Sequence, residues 1–337
     1  MSTTNPMSRL YGRLSHVGLT RQYVRSIVLP SWWDDEIALN PAGYAQGLLL
    51  LARHLGLDLS SLQDETAPVR LREFGSCKYK KREDVSEDEL AMCRMMVIRA
   101  AQLADEAMDR ASRIAPGNPA EIRQAILDTG ARWVGLPELL DYCWSISIPV
   151  LHLDYFPKNA RRPDGFAARV NGRPVIILCV RKKQPAWQLF ILAHELGHIA
   201  CNHIVGDGAL LDDRVDQESS DVEEMEANSF AIELLTGSPP RRFRASGRWP
   251  NAQELAKEAQ QIGRLQMIDP GHVILNYAHN MGADFFAVAS AALARLEPDA
   301  DATQIIRAAL ADRLDWSRLP EDSSEFLMRV TGHEYAE

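Results

Sequence analysis

The hydrophobic pattern divides the chain into helical segments around one group of short strands. In residues 41–60, leucines and alanines recur at helical spacing and end at a glycine turn, which predicts a helical hairpin. A long amphipathic helix is predicted from Ser86 in "SEDELAMCRMMVIRAAQLADEAMDRASRI", because Ser86 and Glu89 can form a capping box. The prolines and glycine of "APGNPAE" then predict a boundary near residues 115–120.

The pattern next changes from helices to strands. Helices predicted at about 119–129 and 137–144 lead into the apolar runs "ISIPVLHLDYF" and "GFAARVNGRPVIILCV". The pair Asn171-Gly172 between two β-branched runs predicts a β-hairpin, and hence a small antiparallel sheet. If the strand at 174–180 is an edge strand, an extended peptide segment could add to it by backbone pairing.

Helices also dominate the rest of the chain. One is predicted in "QLFILAHELGHIACNHI" and another at 221–235, before a proline-rich, basic break at 236–251. A mostly helical region follows from about 252 to 315, and the last residues are expected to be weakly ordered. The predicted fold class is α+β. The predicted regions are a mostly helical N-terminal region (1–117), a central domain (118–245) and a helical or sensor C-terminal region (246–337).

Composition and charge narrow the cellular setting. The chain has 337 residues, enough for a large core, and a net charge of −9, so any nucleic-acid contact must be local. The N-terminus has no apolar secretion segment, and no run of about 18 apolar residues occurs, which predicts a cytoplasmic protein without a membrane partner. The five cysteines lack CxxC spacing and fit reduced thiols.

The sequence His194-Glu195-Leu196-Gly197-His198 is the strongest chemical signal. Histidines four apart lie on one face of a helix, so both imidazoles can reach a single zinc ion, while Glu195 lies about 100° round and can reach a water molecule there. The alternative is a buried helix whose histidines bond to other protein groups. The neighbouring residues are strongly apolar, and a buried Glu195 would be costly without a positive partner, which favours a metal site.

A zinc site of this kind needs a third protein ligand. The extended pattern HExxHxxGxxH is excluded, because Cys201 and Ile204 stand where it requires glycine and histidine. The next helix, in "SSDVEEMEANSFAIELL", offers three carboxylates, those of Glu223, Glu224 and Glu226.

Helical spacing favours Glu224 among these three. It shares a face with Asn228, which could act as a hydrogen-bond partner in the outer layer of the site. The small residues Ala227 and Ala231 would allow this helix to approach Gly197 closely. Glu224 could instead close a capping box with Asp221, and Glu226 and Glu223 remain alternative ligands.

These motifs together resemble the ImmA/IrrE family of zinc-dependent metallopeptidases. The resemblance covers roughly 120–275 and rests on "FILAHELGHIACNH", on "EEMEANSFAIELL" and on the strands before them. It implies a gluzincin-like domain with two active-site helices, Zn²⁺ held by His194, His198 and Glu224, and Glu195 as catalytic base. The later "IDPGHVILNYAHNMG" is similar to the family's helical tail but lacks its usual Arg-Leu ending. A transition-state-stabilising residue does not carry over; the candidates are His152, His203, Tyr155 and Tyr142.

The resemblance also implies a function. Such proteases cut a helix-turn-helix (XRE-type) repressor in the cytoplasm after DNA damage or phage signals, and derepress the genes under its control. Some relatives belong to anti-phage CBASS operons, the CapP type. The alternative function is a DNA-binding regulator with a vestigial zinc site, for which residues 41–62 come nearest to a helix-turn-helix. A third possibility is hydrolysis of a small amide or short peptide.

A basic stretch before the long helix suggests a means of control. In "FGSCKYKKRED", Cys77 stands beside Lys78, Lys80, Lys81 and Arg82, and nearby cations favour the zinc-binding thiolate. Our hypothesis is that Cys77 blocks the zinc ion in a resting state and that single-stranded DNA, bound by these four basic residues, withdraws it. Cys201 is a rival inhibitory thiol. The basic run 181–183 could steer an acidic substrate segment.

Overall fold

The computed structural model describes residues 5–72, 76–80, 87–109, 116–157, 160, 162–212, 221–238, 241–244 and 250–333. The α-helices of this part are α1 (Pro6–His16), α2 (Arg21–Tyr23), α3 (Pro41–Leu55), α4 (Leu59–Gln63), α5 (Glu87–Glu106), α6 (Pro119–Asp128), α7 (Leu136–Ser145), α8 (Pro185–Ala200), α9 (Val222–Thr236), α10 (Ala252–Gln266), α11 (Pro270–Met281), α12 (Phe286–Leu296), α13 (Ala302–Arg313) and α14 (Glu321–Thr331). The strands are β1 (Ser76–Lys80), β2 (Val150–His152), β3 (Gly165–Val170), β4 (Arg173–Leu178) and β5 (Gly208–Asp212).

These strands form one mixed sheet in the order β1-β5-β3-β4-β2. The centre is antiparallel, since β3 pairs antiparallel with both β4 and β5. The outer pairs, β1 with β5 and β2 with β4, are parallel, so the prediction of an antiparallel sheet is wrong for them. The reason is that β1 reaches β5 from more than a hundred residues earlier in the chain, a pairing that local patterns do not encode.

The β3–β4 hairpin matches the prediction from Asn171-Gly172. Val170 pairs with Arg173, and both turn residues have positive φ, 49° for Asn171 and 75° for Gly172. Two positive φ angles define the type I′ turn, whose twist suits adjacent strands.

The strand after this turn, β4, is not an edge strand. The pairing of a substrate segment with residues 174–180 required an edge strand there. β4 lies between β3 and β2, so its backbone groups are already engaged over Ile176–Leu178 on both sides. Within the described sheet, the outermost strands are β1 and β2. A substrate segment therefore cannot add to β4.

The predicted hairpin at 41–60 is present as α3, a left-handed Gly56 (φ 59°) and α4. With only five residues, none of them basic, α4 lacks the length and charge of a DNA-recognition helix. The next helix, α5, ends at Glu106 and is shorter than the predicted segment. The predicted cap at Ser86 lies outside the described residues.

The C-terminal region ends in a well-packed helix, although the sequence suggested weak order there. In α14, Phe326, Leu327 and Val330 are buried in the same core as the N-terminal helices. The ring of His54 stacks on Phe326 with centroids 4.8 Å apart. Long-range packing of this kind orders a terminal segment that local pattern leaves ambiguous.

Two apolar cores cover the two faces of the sheet. One contains α1, α3, α5 and α14 with residues such as Phe166 and Val175, and the other contains α6 to α9 with residues such as Ala167 and Ile176. A third cluster joins α10 to α12. β1 is a strand of this sheet and α5 packs on one of its faces. Residues on both sides of the expected boundary at residue 117 therefore belong to the same core.

Candidate metal centre

Helix α8 brings two histidines together in the buried interior. His194 and His198 are fully buried one turn apart, and their Nε2 atoms are 3.0 Å from each other. The two rings are nearly perpendicular, at 80°. The four-residue spacing read from the sequence thus gives two nitrogens aimed at one point.

Helix α9 adds the third group. Glu224 is 5% exposed, and its two carboxylate oxygens lie 3.3 Å from Nε2 of His194 and 3.4 Å from Nε2 of His198. Asp221 caps the helix through the backbone N–H of Glu223, which donates to it at 2.9 Å. The structure therefore brings Glu224 to the two histidines, whereas Glu226 is exposed and contacts His203, and Glu223 is half-buried outside this group.

The close approach of α8 and α9 depends on small residues, as the sequence suggested. A Cβ atom at Gly197 would lie 3.1 Å from both Cα and the carbonyl oxygen of Ala227. A larger side chain at either position would separate the helices and move Glu224 away from the histidines.

Hydrogen bonds behind the histidines determine which nitrogen carries the proton. Nδ1 of His194 lies 3.0 Å from Oδ1 of Asn228, an oxygen that only accepts, so Nδ1 donates and Nε2 keeps its lone pair. Asn228 is thus a hydrogen-bond partner of a histidine in this group, as the helical spacing suggested.

His198 is oriented by a chain of two groups. The carboxylate of Glu226 accepts from Nε2 of His203 at 2.9 Å. The other nitrogen of a neutral His203 then accepts from Nδ1 of His198, at 2.8 Å, and Nε2 of His198 also keeps its lone pair.

Three acceptors therefore face one another at 3.0–3.4 Å. Acceptors at this separation repel unless a cation lies between them, and the edges of a tetrahedral zinc site with Zn–N bonds near 2.0–2.1 Å are about 3.3 Å long. The donor set of two imidazoles and one carboxylate fits a divalent zinc ion, with a fourth position left for water.

His203 reaches this position through the end of α8. Cys201 is the C-cap, Asn202 has a left-handed φ of 60°, and the backbone N–H of His203 donates to the carbonyl of His198 at 3.0 Å. This is a Schellman motif, and it folds residue 203 back against residue 198. The sequence analysis named His203 only as a candidate transition-state stabiliser. Asn202 just after the helix was a signal for the turn that brings His203 against His198.

Glu195 is fully buried beside the first residue of β3. A Cβ atom at Gly165 would lie 2.5 Å from Oε1 of Glu195 and 2.7 Å from Cγ2 of Ile191. Gly165 thus allows the sheet to approach the carboxylate closely. Sequence reasoning missed this residue, since only the packing of β3 on α8 reveals why a glycine is needed.

Residues 145–267 match the family model of the IrrE N-terminal-like domain, Peptidase_M78. This domain belongs to the ImmA/IrrE family. No curated protein and no solved structure matches the chain. The matched residues run from the end of α7 to just after α10 and include the sheet strands β2 to β5 and the three converging side chains.

The expected resemblance to this family is confirmed, within narrower limits than 120–275. The chain therefore carries a peptidase-type domain, and peptidases of this family are generally metal-dependent. None of the helices in the described part of the chain is long and apolar enough to cross a membrane.

The other candidates for transition-state stabilisation lie outside α8 and α9. His152 ends β2, two strands from Gly165, and its Nε2 lies 2.9 Å from the carbonyl of Val180. Tyr155 is exposed, and its carbonyl accepts from the hydroxyl of Tyr23 at 3.2 Å. Tyr142 is on α7, half-buried against the core formed by α6 to α9.

The backbone of Cys77 lies in β1, opposite Ala209 of β5. Ala209 in turn pairs with Ala168, three residues along β3 from Gly165. Three residues along a strand span about 10 Å, and the two strand spacings between β1 and β3 also span about 10 Å. These two directions are perpendicular, so the Cys77 backbone is roughly 14 Å from that of Gly165. The role of Cys77 as a zinc-blocking thiol stays a prediction.

The predicted nucleic-acid residues are only partly described. The backbone of Lys78 and Lys80 belongs to β1, while Lys81 and Arg82 lie outside the described residues. Lys80 pairs with Asp212, which pairs with Gly165, so β1 ends in the row of the sheet that contacts Glu195. The assignment of these residues to DNA binding stays a prediction.

Proposed function

We propose that this protein is a zinc-dependent endopeptidase that cleaves a helix-turn-helix repressor of the XRE type. The observation that carries the proposal is the convergence of His194, His198 and Glu224 beside the buried carboxylate of Glu195, within an IrrE N-terminal-like domain. Metal-dependent peptide hydrolysis uses such a set of ligands with a carboxylate as base, and a role in regulating stress genes would need a defined protein substrate.

The residues have separate roles in the proposed reaction. His194, His198 and Glu224 would hold the ion, which when bound polarises a carbonyl and lowers the pKa of water. Glu195 takes a proton from the attacking water and passes it to the leaving amine. Asn228 and the Glu226–His203 pair hold the two imidazoles in the tautomer that keeps Nε2 available.

The arrangement of the sheet favours one side for the substrate. At β2, the backbone N–H of Asp154 donates to the carbonyl of Val330 at 2.9 Å, so the C-terminal region covers that side. At the other side, the row that contacts Glu195 ends at Lys80 of β1. We therefore expect an extended substrate segment at the β1 side, with side-chain pockets giving specificity.

The same location connects the proposed activity with its control. Lys78 and Lys80 belong to β1, which ends at this row, and Lys81 and Arg82 follow in the sequence. A polyanion bound by this basic stretch would therefore act on the strand that ends in the row of Gly165. Single-stranded DNA is the proposed activator, and derepression of stress, DNA-damage or anti-phage genes the proposed result.

A cleavage assay tests the proposal. Zinc-loaded protein is mixed with the helix-turn-helix protein encoded nearest its gene, with and without single-stranded DNA. We expect specific cleavage, and Glu195→Gln should lower its rate by about 10²–10⁴-fold while keeping zinc. If the native protein cleaves nothing in either condition but retains zinc and binds DNA, the alternative of a DNA-binding regulator with a vestigial zinc site replaces it.

A further inference from the structure

A second group of metal-ligating side chains lies at the end of α8. Cys201, His203 and Glu226 each offer one ligand atom, and these atoms all lie within 4.8 Å of one another. Cys201 and Glu226 are exposed, whereas His203 is buried between them and the inner centre. The group is therefore open to solvent on one side and in contact with His198 on the other.

The backbone holds two of these residues in fixed positions. The Schellman motif at the end of α8 places Cys201 at the C-cap and returns His203 under the helix. Glu226 comes from the first two turns of α9, and its Oε2 lies 2.9 Å from Nε2 of His203. Burial, and then the carboxylate of Glu226, raise the pKa of the Cys201 thiol, as expected when the two groups are close.

We propose that Cys201, His203 and Glu226 form an outer site for a borderline or soft divalent cation such as Zn²⁺. One thiolate, one imidazole and one carboxylate are ligands that zinc accepts in a tetrahedral site, and solvent can supply the fourth. Binding releases the thiol proton of Cys201 to solvent, because a cation shared with Glu226 stabilises the thiolate.

Occupation of the outer site has a consequence for the inner centre, which rests on the proposed function of that centre. A neutral imidazole carries one proton, so a metal ion bound at Nε2 of His203 leaves that proton on Nδ1. Nδ1 of His203 would then present a donor to Nδ1 of His198, also a donor, at 2.8 Å. The outer ion therefore removes the hydrogen bond that orients His198, and an excess of metal should lower activity.

Cobalt titration of the metal-free protein tests the outer site. The inner centre has only nitrogen and oxygen donors, so the first equivalent of Co²⁺ should give no thiolate-to-cobalt absorption in the near ultraviolet. The second equivalent should produce that absorption. Cys201→Ser should abolish the band and keep the first equivalent, and Glu226→Gln should weaken the second equivalent, whereas Glu223→Gln on the same helix is the matched control.

The possible outcomes separate the two proposals. A band that persists in Cys201→Ser but is lost in Cys77→Ser would overturn the outer site and support a sulfur ligand from β1. Binding of a single equivalent without a band would also overturn it. Failure of the one-equivalent protein to cleave any substrate would contradict the proposed function and leave the outer-site measurement unaffected. Inhibition by a second equivalent in the native protein, absent in Cys201→Ser, would support the coupling.

Discussion

At the residue scale, two carboxylates of α9 that differ by two positions reach different histidines. Glu224 lies against Nε2 of both His194 and His198, whereas Glu226 contacts the more distant His203. A single turn of α9 thus supplies both a carboxylate that meets the two histidines of α8 and a carboxylate that acts through another side chain. The distinction depends on a rotation of about 200° round α9.

The first prediction separates these roles. Glu224→Ala removes one of the three converging acceptors and should abolish tight zinc binding. Glu226→Ala should retain zinc at the inner centre with affinity lowered by about 10–100-fold, because at that centre Glu226 acts by orienting His198 through His203. Zinc content after dialysis and competition with a chelator measure both, and Glu223→Ala serves as the control. Full zinc content in Glu224→Ala would show that the ligand assignment is wrong.

The second prediction concerns Gly165. In Gly165→Ala the new methyl group meets Oε1 of Glu195 at 2.5 Å, so the carboxylate must shift. A displacement of about 1 Å lowers a rate by about 10²-fold, and we expect a loss of this size in kcat with zinc content unchanged. Gly12→Ala in α1, where an added Cβ meets nothing within 4 Å, should leave the rate unchanged. A Gly165→Ala protein with native kcat would mean that Glu195 tolerates displacement or is not the base.

At the element scale, α8 is buried among several neighbours because most of its residues are apolar. It packs on β3 and β4, on α9 through Gly197 and on α11 through aromatic rings. In the last contact, His272 of α11 stacks on Phe190 of α8, with centroids 6.0 Å apart. Neither ring nitrogen of His272 has a hydrogen-bond partner within the described part of the chain.

The third prediction follows from this buried ring. Burial, and then the charge of Arg123, lower the pKa of His272 to about 4 from the ordinary 6.5. Between pH 6.5 and pH 4 the unfolded chain binds a proton at this histidine and the folded chain does not. The free energy of unfolding linked to His272 is therefore highest above pH 6.5 and falls as the pH falls toward 4. His272→Phe keeps the stack and removes the titration.

The measurement compares urea unfolding of metal-free proteins at pH 8 and pH 5. The advantage of His272→Phe over the native protein in free energy of unfolding should grow by roughly 2 kcal/mol at pH 5, because of the lowered pKa of His272. His16→Asn, an exposed histidine at the end of α1, should show no such change. If His272→Phe and the native protein lost the same free energy of unfolding between pH 8 and pH 5, the lowered pKa of His272 would be contradicted.

At the scale of the whole molecule, the N-terminal region and the IrrE-like domain fold around shared groups. Arg173 of β4 is 1% exposed, and its guanidinium donates to Asp105 of α5 at 2.6 Å. It also donates to the carbonyls of Ser147, at 3.1 Å, and Asp109, at 2.6 Å. One buried arginine thus connects α5 to the sheet that supports the centre.

The fourth prediction tests this connection. Arg173→Met leaves the Asp105 carboxylate without its cation and should lower the free energy of unfolding by about 3–5 kcal/mol. Replacing both partners, Arg173→Met with Asp105→Leu, should recover part of that loss, since no unpaired charge then remains. Urea unfolding curves of the single and the double variant measure both changes in the free energy of unfolding. Native stability in Arg173→Met would show that the Arg173–Asp105 pair does not stabilise the packing of α5 on the sheet.

The sequence by itself determined the features that depend on neighbours along the chain. The spacing of His194 and His198 placed two imidazoles on one helical face, and Asn171-Gly172 specified the hairpin before them. The apolar character of the helix also implied that Glu195 is buried. These features are local, because helix and turn geometry are set by a few consecutive residues.

Only the tertiary structure decided how distant segments meet. Packing of α9 on α8 brought Glu224, rather than Glu223 or Glu226, to the histidines, and packing of β3 required Gly165 beside Glu195. The parallel pairing of β1 with β5 and the interior position of β4 were likewise invisible in local patterns. Such contacts join residues far apart in the chain, so they are selected by the fit of whole surfaces, which no short window of sequence contains.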